Sequence, residues 1–197
     1  MNQKNSLGLN KCFLDLDNPI ELFNIWMNEA KNTELNDPNA LALATSTSKN
    51  VPSVRIVLLK DFSEKGFIFY TNLNSQKSNE LKENPNAAMC FHWKSLLRQV
   101  RIDGKISQVD NKVADKYYNS RNYESRIGAW ASKQSSILKN RDQLLESIEK
   151  YSFDGDFIES QAFGYLAIRS LLNLPISFPK TTGCNSPITG GKLVNNF

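Results

Sequence analysis

The 197-residue sequence predicts a mainly β fold, one small antiparallel barrel with helices packed outside it. Strand-like runs follow one another between residues 40 and 109 with a single short helix among them, which argues against a doubly wound parallel sheet. The run Leu97–Val109 sets Val100, Ile102 and Ile106 against Gln99, Arg101, Asp103 and Lys105, the alternation of an antiparallel sheet with one wet face. The other helical patterns lie before and after this block, where they can cover the outside of a barrel.

Residues 1–17 read as a loose polar arm. Asn18 is a good N-cap and Pro19 suits the first helical position. Behind them Ile20, Leu22, Phe23, Trp26 and Met27 recur at helical spacing and predict a core-facing helix. Asn36, Asp37 and Pro38 break it. Ala40–Thr47 and Val51–Lys60, joined by Ser48, Lys49 and Asn50, predict a hairpin. Gly66–Thr71 is a third strand, rich in aromatics. Ser75–Asn84 predicts a short polar helix closed by Pro85. Ala87–Trp93 and Leu97–Val109 are the fourth and fifth strands. Asp110 can cap a helix over Asn111–Arg121, with further helices expected at Glu124–Ala131 and Asn140–Tyr151, the last turning Leu144, Leu145 and Ile148 inward. The domain expected from this pattern spans residues 18–151, and 152–197 form an atypical C-terminal segment.

Composition narrows the function classes. The net charge of +4 comes from 24 basic and 20 acidic residues, an excess too small and too dispersed to argue for nucleic acid. It suits a protein that handles anionic phosphates. Apolar stretches such as Ala40–Ala44 and Ile56–Leu59 fall far short of the roughly 20 residues that span a bilayer. The N-terminus lacks the apolar core of a signal peptide. Cys12, Cys90 and Cys184 are odd in number and widely spaced, so reduced thiols in the cytoplasm are expected.

Several segments carry a family pattern in order: Arg55-Ile56-Val57-Leu58-Leu59-Lys60, Phe69-Tyr70-Thr71-Asn72, Ser75-Gln76-Lys77 and Arg98-Gln99-Val100. Tyr117, Ser120-Arg121, Ser125-Arg126-Ile127-Gly128-Ala129-Trp130 and Ser132-Lys133-Gln134-Ser135-Ser136 follow. Over Asn18–Tyr151 the chain resembles the pyridoxamine 5′-phosphate oxidase family. The resemblance implies an FMN-binding split β-barrel that forms a homodimer, with an FMN in each of two interface clefts. It also implies oxidation of pyridoxamine or pyridoxine 5′-phosphate to pyridoxal 5′-phosphate, with O2 as the acceptor. On this basis Arg55, Ile56, Val57, Leu58, Leu59, Lys60, Tyr70, Thr71, Gln76, Lys77, Gln99, Gln134 and Ser135 are candidate cofactor contacts. Lys60, Tyr117, Arg121 and Ser125 are candidate substrate contacts. No metal ligand and no catalytic acid or base is identified.

The residue chemistry has readings of its own. FMN and substrate each carry a phosphate, which calls for two anion sites; Arg offers a planar fork and Lys a point charge. Arg55 sits in a strand of Ile, Val and Leu, either as a phosphate ligand or as an edge arginine snorkelling to water. Lys77 lies near a helix start, which favours anions; Lys60 is a strand-end lysine that solvent alone would also satisfy. Tyr117, Arg121 and Ser125 lie at i, i+4 and i+8, one stripe if the helix continues, as phosphate donors or as a solvated face. Tyr70 suits core packing as well as a flavin contact. Ser135 or Ser136 would make a sound N-cap for the last helix.

Three departures from the family pattern stand out. Gln76 occupies a position where many relatives have Arg. The N-terminal arm lacks a basic-aromatic segment found in some members. The tail from Phe153 to Phe197 has no Trp, His92 is the sole histidine, and Phe163-Gly164-Tyr165 only faintly resembles a Trp-Gly-Gly strand. The tail is then either out of frame or degenerate, leaving a barrel short of strands, or a divergent ending with different substrate contacts. Beside the oxidase stand two rivals: another flavin split-barrel reductase, and a non-catalytic FMN- or pyridoxal-phosphate-binding protein or inactive remnant.

Overall fold

A computed structural model describes residues 18–153 and three later strands, Tyr165–Arg169, Ile188–Thr189 and Lys192–Leu193. The predicted arm and most of the C-terminal segment, Phe163 and Gly164 included, lie outside the described residues. In chain order the elements are α1 (Pro19–Thr33), β1 (Ala40–Ser46), β2 (Pro52–Ser63), β3 (Gly66–Tyr70), α2 (Gln76–Glu83), β4 (Asn86–Trp93) and β5 (Arg98–Gln108). There follow α3 (Asn111–Ser120), α4 (Tyr123–Ala131), α5 (Arg141–Phe153), β6 (Tyr165–Arg169), β7 (Ile188–Thr189) and β8 (Lys192–Leu193).

The strands close in the order β1-β2-β3-β6-β5-β4, every pairing antiparallel. β6 bonds β3 on one side and β5 on the other. The barrel therefore is not short of this strand: the tail supplies it, beginning at Tyr165, the last residue of the faint Phe163-Gly164-Tyr165 match. Both sheet edges that the missing-strand reading left exposed are paired, which removes an aggregation-prone feature.

Local chemistry explains the elements. The Asn18 side chain accepts the Ile20 N–H at 2.9 Å and caps α1 as predicted. Asn50, at φ 61°, turns the β1–β2 hairpin in a left-handed conformation that asparagine tolerates. Asp110 accepts from Lys112 N and caps α3. Two expectations fail around α5. Asn140, not Ser135 or Ser136, accepts from its first turn (Gln143 N, 2.9 Å). Leu145 is exposed, while Leu144 and Ile148 are half-buried, because the helix packs on α4 along a narrower stripe than its apolar content suggests.

The main core joins Leu22, Phe23, Trp26, Met27 and Ala30 of α1 to inward residues of the first five strands, Leu41, Leu43, Phe67, Phe69, Met89, Phe91, Val100 and Ile102 among them. Phe23 meets Phe62, Phe67 and Phe91 edge-on, with centroids 4.8, 5.0 and 5.3 Å away. Trp93 Nε1–H donates to the Pro38 carbonyl at 2.7 Å, tying β4 to the loop after α1.

Phe23→Ala should cost about 3–5 kcal/mol, the range for deleting a fully buried phenyl. Urea unfolding checks this; a loss below about 1 kcal/mol would mean α1 is not part of the core.

Candidate functional site

One cleft of about 1270 Å³ runs along the outer side of β2, past the end of β3 and the start of α2, to the α3–α4 junction and residues 132–135. Among the described residues its wall carries four basic side chains, Arg55, Lys60, Lys77 and Arg121, and no acidic one. Such a wall selects anions.

Each basic residue arrives by a different local device. Arg55 does not snorkel to water as an edge arginine would. Its neighbours Val54 and Ile56 are the outward, exposed residues of β2, whereas Arg55 is half-buried. Nη1 donates to Leu43 O (3.3 Å) and Thr45 Oγ1 (2.5 Å), and Nη2 to Ser53 Oγ (2.5 Å) and Glu80 Oε2 (3.2 Å). Lys60 sits where the β2–β3 register shifts, between Leu59 and Asp61. A bulge of this kind re-aims a side chain, here toward the cleft. Lys77 is only 6% exposed, and Nζ donates to Thr71 Oγ1 (3.0 Å) and Ser75 Oγ (3.4 Å). Burial, then the Arg55 charge, lowers its pKa, with Glu80 pulling the other way. The Ser75 hydroxyl makes no capping bond to α2, so it does not compete for the anion-favouring helix start.

Arg121 and its neighbours correct the stripe reading. α3 stops at Ser120, and Arg121 is extended (ψ 149°); Asn122 then caps α4 by accepting from Ser125 N. Tyr117, Arg121 and Ser125 therefore line one cleft through a break between two helices, not along one continuous face. Trp130 Nε1–H donates to the buried Tyr118 hydroxyl at 2.9 Å and braces the two helices. The Tyr117 ring stacks on Tyr70, centroids 3.7 Å apart and planes at 15°, with Lys60 Nζ 5.9 Å from the Tyr117 centroid. Burial first, then unfavourable electrostatic interaction with Tyr117 and Asp61, raises the Tyr70 pKa. Gln134 Oε1 accepts from Thr71 Oγ1 (3.3 Å) and Asn72 N (3.4 Å), latching the 132–135 segment to the end of β3. Ser135 holds a left-handed φ of 65°, a strained conformation for serine.

Thus the cleft gathers Arg55, Ile56, Val57, Leu58, Lys60, Tyr70, Thr71, Gln76, Lys77, Gln134, Ser135, Tyr117, Arg121 and Ser125. Leu59 and Gln99 are not in it. Leu59 is 5% exposed and belongs to the core, because the strand alternation turns it inward. Gln99 lies on β5 opposite His92, outside the cleft. Missed in the sequence were Asn72 and Ser53, both in the wall, and Glu80 behind it. Glu80 follows Gln76 by four residues and Lys77 by three, a spacing that places all three near one face of a helix and could have flagged it.

The Glu80 carboxylate is 5% exposed. Oε2 accepts from Thr45 Oγ1, Ser53 Oγ (2.6 Å) and Arg55, and Oε1 from Gln76 Nε2 (2.8 Å). Gln76 thus serves the acid rather than adding to the cleft's positive charge. Burial alone would raise the carboxyl pKa, but bonds from Ser53, Thr45 and Gln76 and the Arg55 charge outweigh it and hold the value at about 2.

An antiparallel barrel whose cleft joins four basic side chains to a stacked tyrosine pair and an apolar strand edge is a frame for phosphorylated, planar ligands. By its match to the family model described as pyridoxamine 5′-phosphate oxidase, over residues 27–153, the chain belongs to that family. It is 76% identical over 151 residues to the pyridoxine/pyridoxamine 5′-phosphate oxidase of Pelagibacter ubique (strain HTCC1062), covering 77% of this chain and 73% of that protein. It is 53% identical over 140 residues to the protein of the same name from Allorhizobium ampelinum, covering 71% and 68%. Among solved structures, PhzG from Burkholderia lata 383 shares the fold at a TM-score of 0.78 and 24% identity, over 87% of this chain and 85% of that one. A pyridoxamine 5′-phosphate oxidase-related, FMN-binding protein from Nostoc punctiforme shares it at 0.64 and 13%, over 91% and 98%.

The depressed Glu80 pKa fixes a pH signature. A carboxylate held low in the folded state contributes its full stability above about pH 4.5 and loses it as pH falls toward about 2. Unfolding free energies of the wild type and Glu80→Gln should therefore differ by a constant amount above that window, with the wild type more stable, and converge within it. A gap that persists unchanged to pH 2 would contradict the assigned network.

Proposed function

We propose that the protein is an FMN-dependent oxidase converting pyridoxamine or pyridoxine 5′-phosphate to pyridoxal 5′-phosphate. The observation that carries this reading is the cleft: among the described residues four basic side chains and no acid, with room for two phosphorylated ring systems side by side. Family membership points the same way. FMN fits the residues present. Lys77 and Arg55 would hold its phosphate at the start of α2, while Tyr70, Thr71, Gln134 and the Ile56–Leu58 edge would border its ring. Bound FMN would supply the hydride acceptor, with O2 as the terminal oxidant.

The chain's own residues bind and orient. Lys60, Tyr117, Arg121 and Ser125 would hold the substrate phosphate with two charges and two hydroxyls, so that the vitamer is fixed by its phosphate end. No side chain is assigned as acid or base. His92 is exposed on β4, outside the cleft. Positioning the substrate is the protein's main contribution to rate.

A homodimer completes the site in this reading. Val54, Ile56 and Leu58 form an outward apolar row, 68%, 67% and 36% exposed, along the mouth of the cleft. A second copy laid over them would bury that row and shut water out. Gln99, absent from its own chain's cleft, would then contact flavin only from the partner. Among the described residues no helix is long and apolar enough to cross a membrane, and a cytoplasmic location is proposed with the reduced cysteines. A second reading, a flavin- or pyridoxal-phosphate-binding protein without turnover, draws on the tail, which lacks tryptophan and histidine.

Purified protein mixed with FMN and pyridoxine 5′-phosphate should release hydrogen peroxide; a protein that binds FMN and stays inert supports the second reading. Arg121→Ala should raise KM for the phosphorylated substrate about 10- to 100-fold, the loss expected for one charge-assisted hydrogen-bonding group. Steady-state peroxide assays measure this, and an unchanged KM would remove Arg121 from the substrate site. Lys77→Met should weaken FMN by a comparable factor without changing KM, as read by flavin fluorescence.

A further inference from the structure

Glu80 is an acid placed directly behind a basic wall, and it does not itself line the cleft. A carboxylate so close to a phosphate site costs affinity by simple repulsion, so its presence calls for an explanation.

The hydrogen-bond directions supply one. Thr45 and Ser53 each have one hydroxyl proton, and both protons go to Glu80 Oε2. Each hydroxyl must therefore meet Arg55 with a lone pair, and each accepts from one end of the guanidinium, Nη1 at Thr45 and Nη2 at Ser53. Glu80 also takes Nη2 directly at 3.2 Å. The acid thus polarises two relays and grips the same group, fixing the plane of the guanidinium in a side chain that is 21% exposed. It also offsets the repulsion between Arg55 and Lys77, two cations crowded into one partly buried wall. Both Lys77 and Glu80 ride on α2, so one helix sets the position of both charges.

We propose that Glu80 is the positioning residue for Arg55: acting through Thr45 and Ser53, it presents the guanidinium to the cofactor phosphate in a single orientation. This rests on the FMN reading given above, with the phosphate at Arg55 and Lys77. The role predicts a sign that simple charge counting does not. Removing the carboxylate adds one net positive charge to the wall, which by itself would tighten phosphate binding. Loss of positioning weakens it.

The test uses the full chain, wild type and Glu80→Gln, titrated with FMN and with riboflavin, which has no phosphate, by quenching of flavin fluorescence. FMN should bind the variant about 10-fold or more weakly, the scale of a lost hydrogen-bond set to a charged group, while riboflavin stays within about 2-fold. The alkaline limit of FMN binding should also fall to lower pH, because Lys77 loses the neighbour that raises its pKa. Tighter or unchanged FMN binding, or equal losses for both flavins, overturns the proposal. If Glu80→Gln does not fold, Ser53→Ala decides: it removes one relay, keeps the acid, and should weaken FMN several-fold with riboflavin unchanged, whereas an unaffected FMN affinity overturns the role. A wild type that binds both flavins equally shows instead that the phosphate does not sit at Arg55 and Lys77, and the proposal falls with that reading.

Discussion

Two cations, Arg55 and Lys77, share one wall with Glu80 as the one nearby counter-charge among the described residues, and the site depends on that imbalance. Lys77 is nearly buried, and its described partners are hydroxyls rather than a carboxylate. Burying an ammonium this way is costly unless an anion completes the shell. The fold accepts the cost because everything around the pair is held. β1 and β2 present Thr45, Ser53 and Arg55 at adjacent register positions, Thr45 opposite Ser53 and Leu43 opposite Arg55. The Glu80 side of α2 sits against these strands through the carboxylate bonds to Thr45 and Ser53. The strength of the wall thus comes from the barrel, and its charge is left over for a ligand.

Much of the fold could be read from residue patterns. Asn18 with Pro19, Asp110, and the alternation in Val100–Ile106 each act locally, and each appears where the pattern put it. The failures have tertiary causes. Ser135 had the chemistry of an N-cap, but the segment is latched by Gln134 to Thr71 and Asn72, and the helix begins later behind Asn140. The helix expected to end at Arg121 ends at Ser120, so the single stripe that a continuing helix would have made does not form, and the break capped by Asn122 brings the same residues together. Nothing in local sequence signalled that Lys60 would fall at a register shift, since a bulge is a property of two strands.

The candidate site was legible mainly through family resemblance, and geometry refined it. Six residues drawn from β2, α2, α3, α4 and the turn between them meet in one cleft: Arg55, Lys60, Lys77, Tyr117, Arg121 and Ser125. Periodicity could not assemble that set because its members are far apart in the chain. Leu59 belongs to the run that carries the resemblance, yet alternation turns it into the core. Arg55 was expected as an open fork to phosphate, but four bonds to protein groups occupy much of its donor capacity, so its charge and fixed plane matter more than a free bidentate grip. The tail, which has neither tryptophan nor histidine, still contributes a strand that closes the barrel between β3 and β5.

A crystal structure of the protein with FMN bound would test the central claim most directly. The account predicts the phosphate against Lys77 and Arg55 at the start of α2, with the Arg55 guanidinium still bonded to Thr45, Ser53 and Glu80. A phosphate bound elsewhere, or an Arg55 side chain that swings away from Glu80 to reach it, would contradict the account.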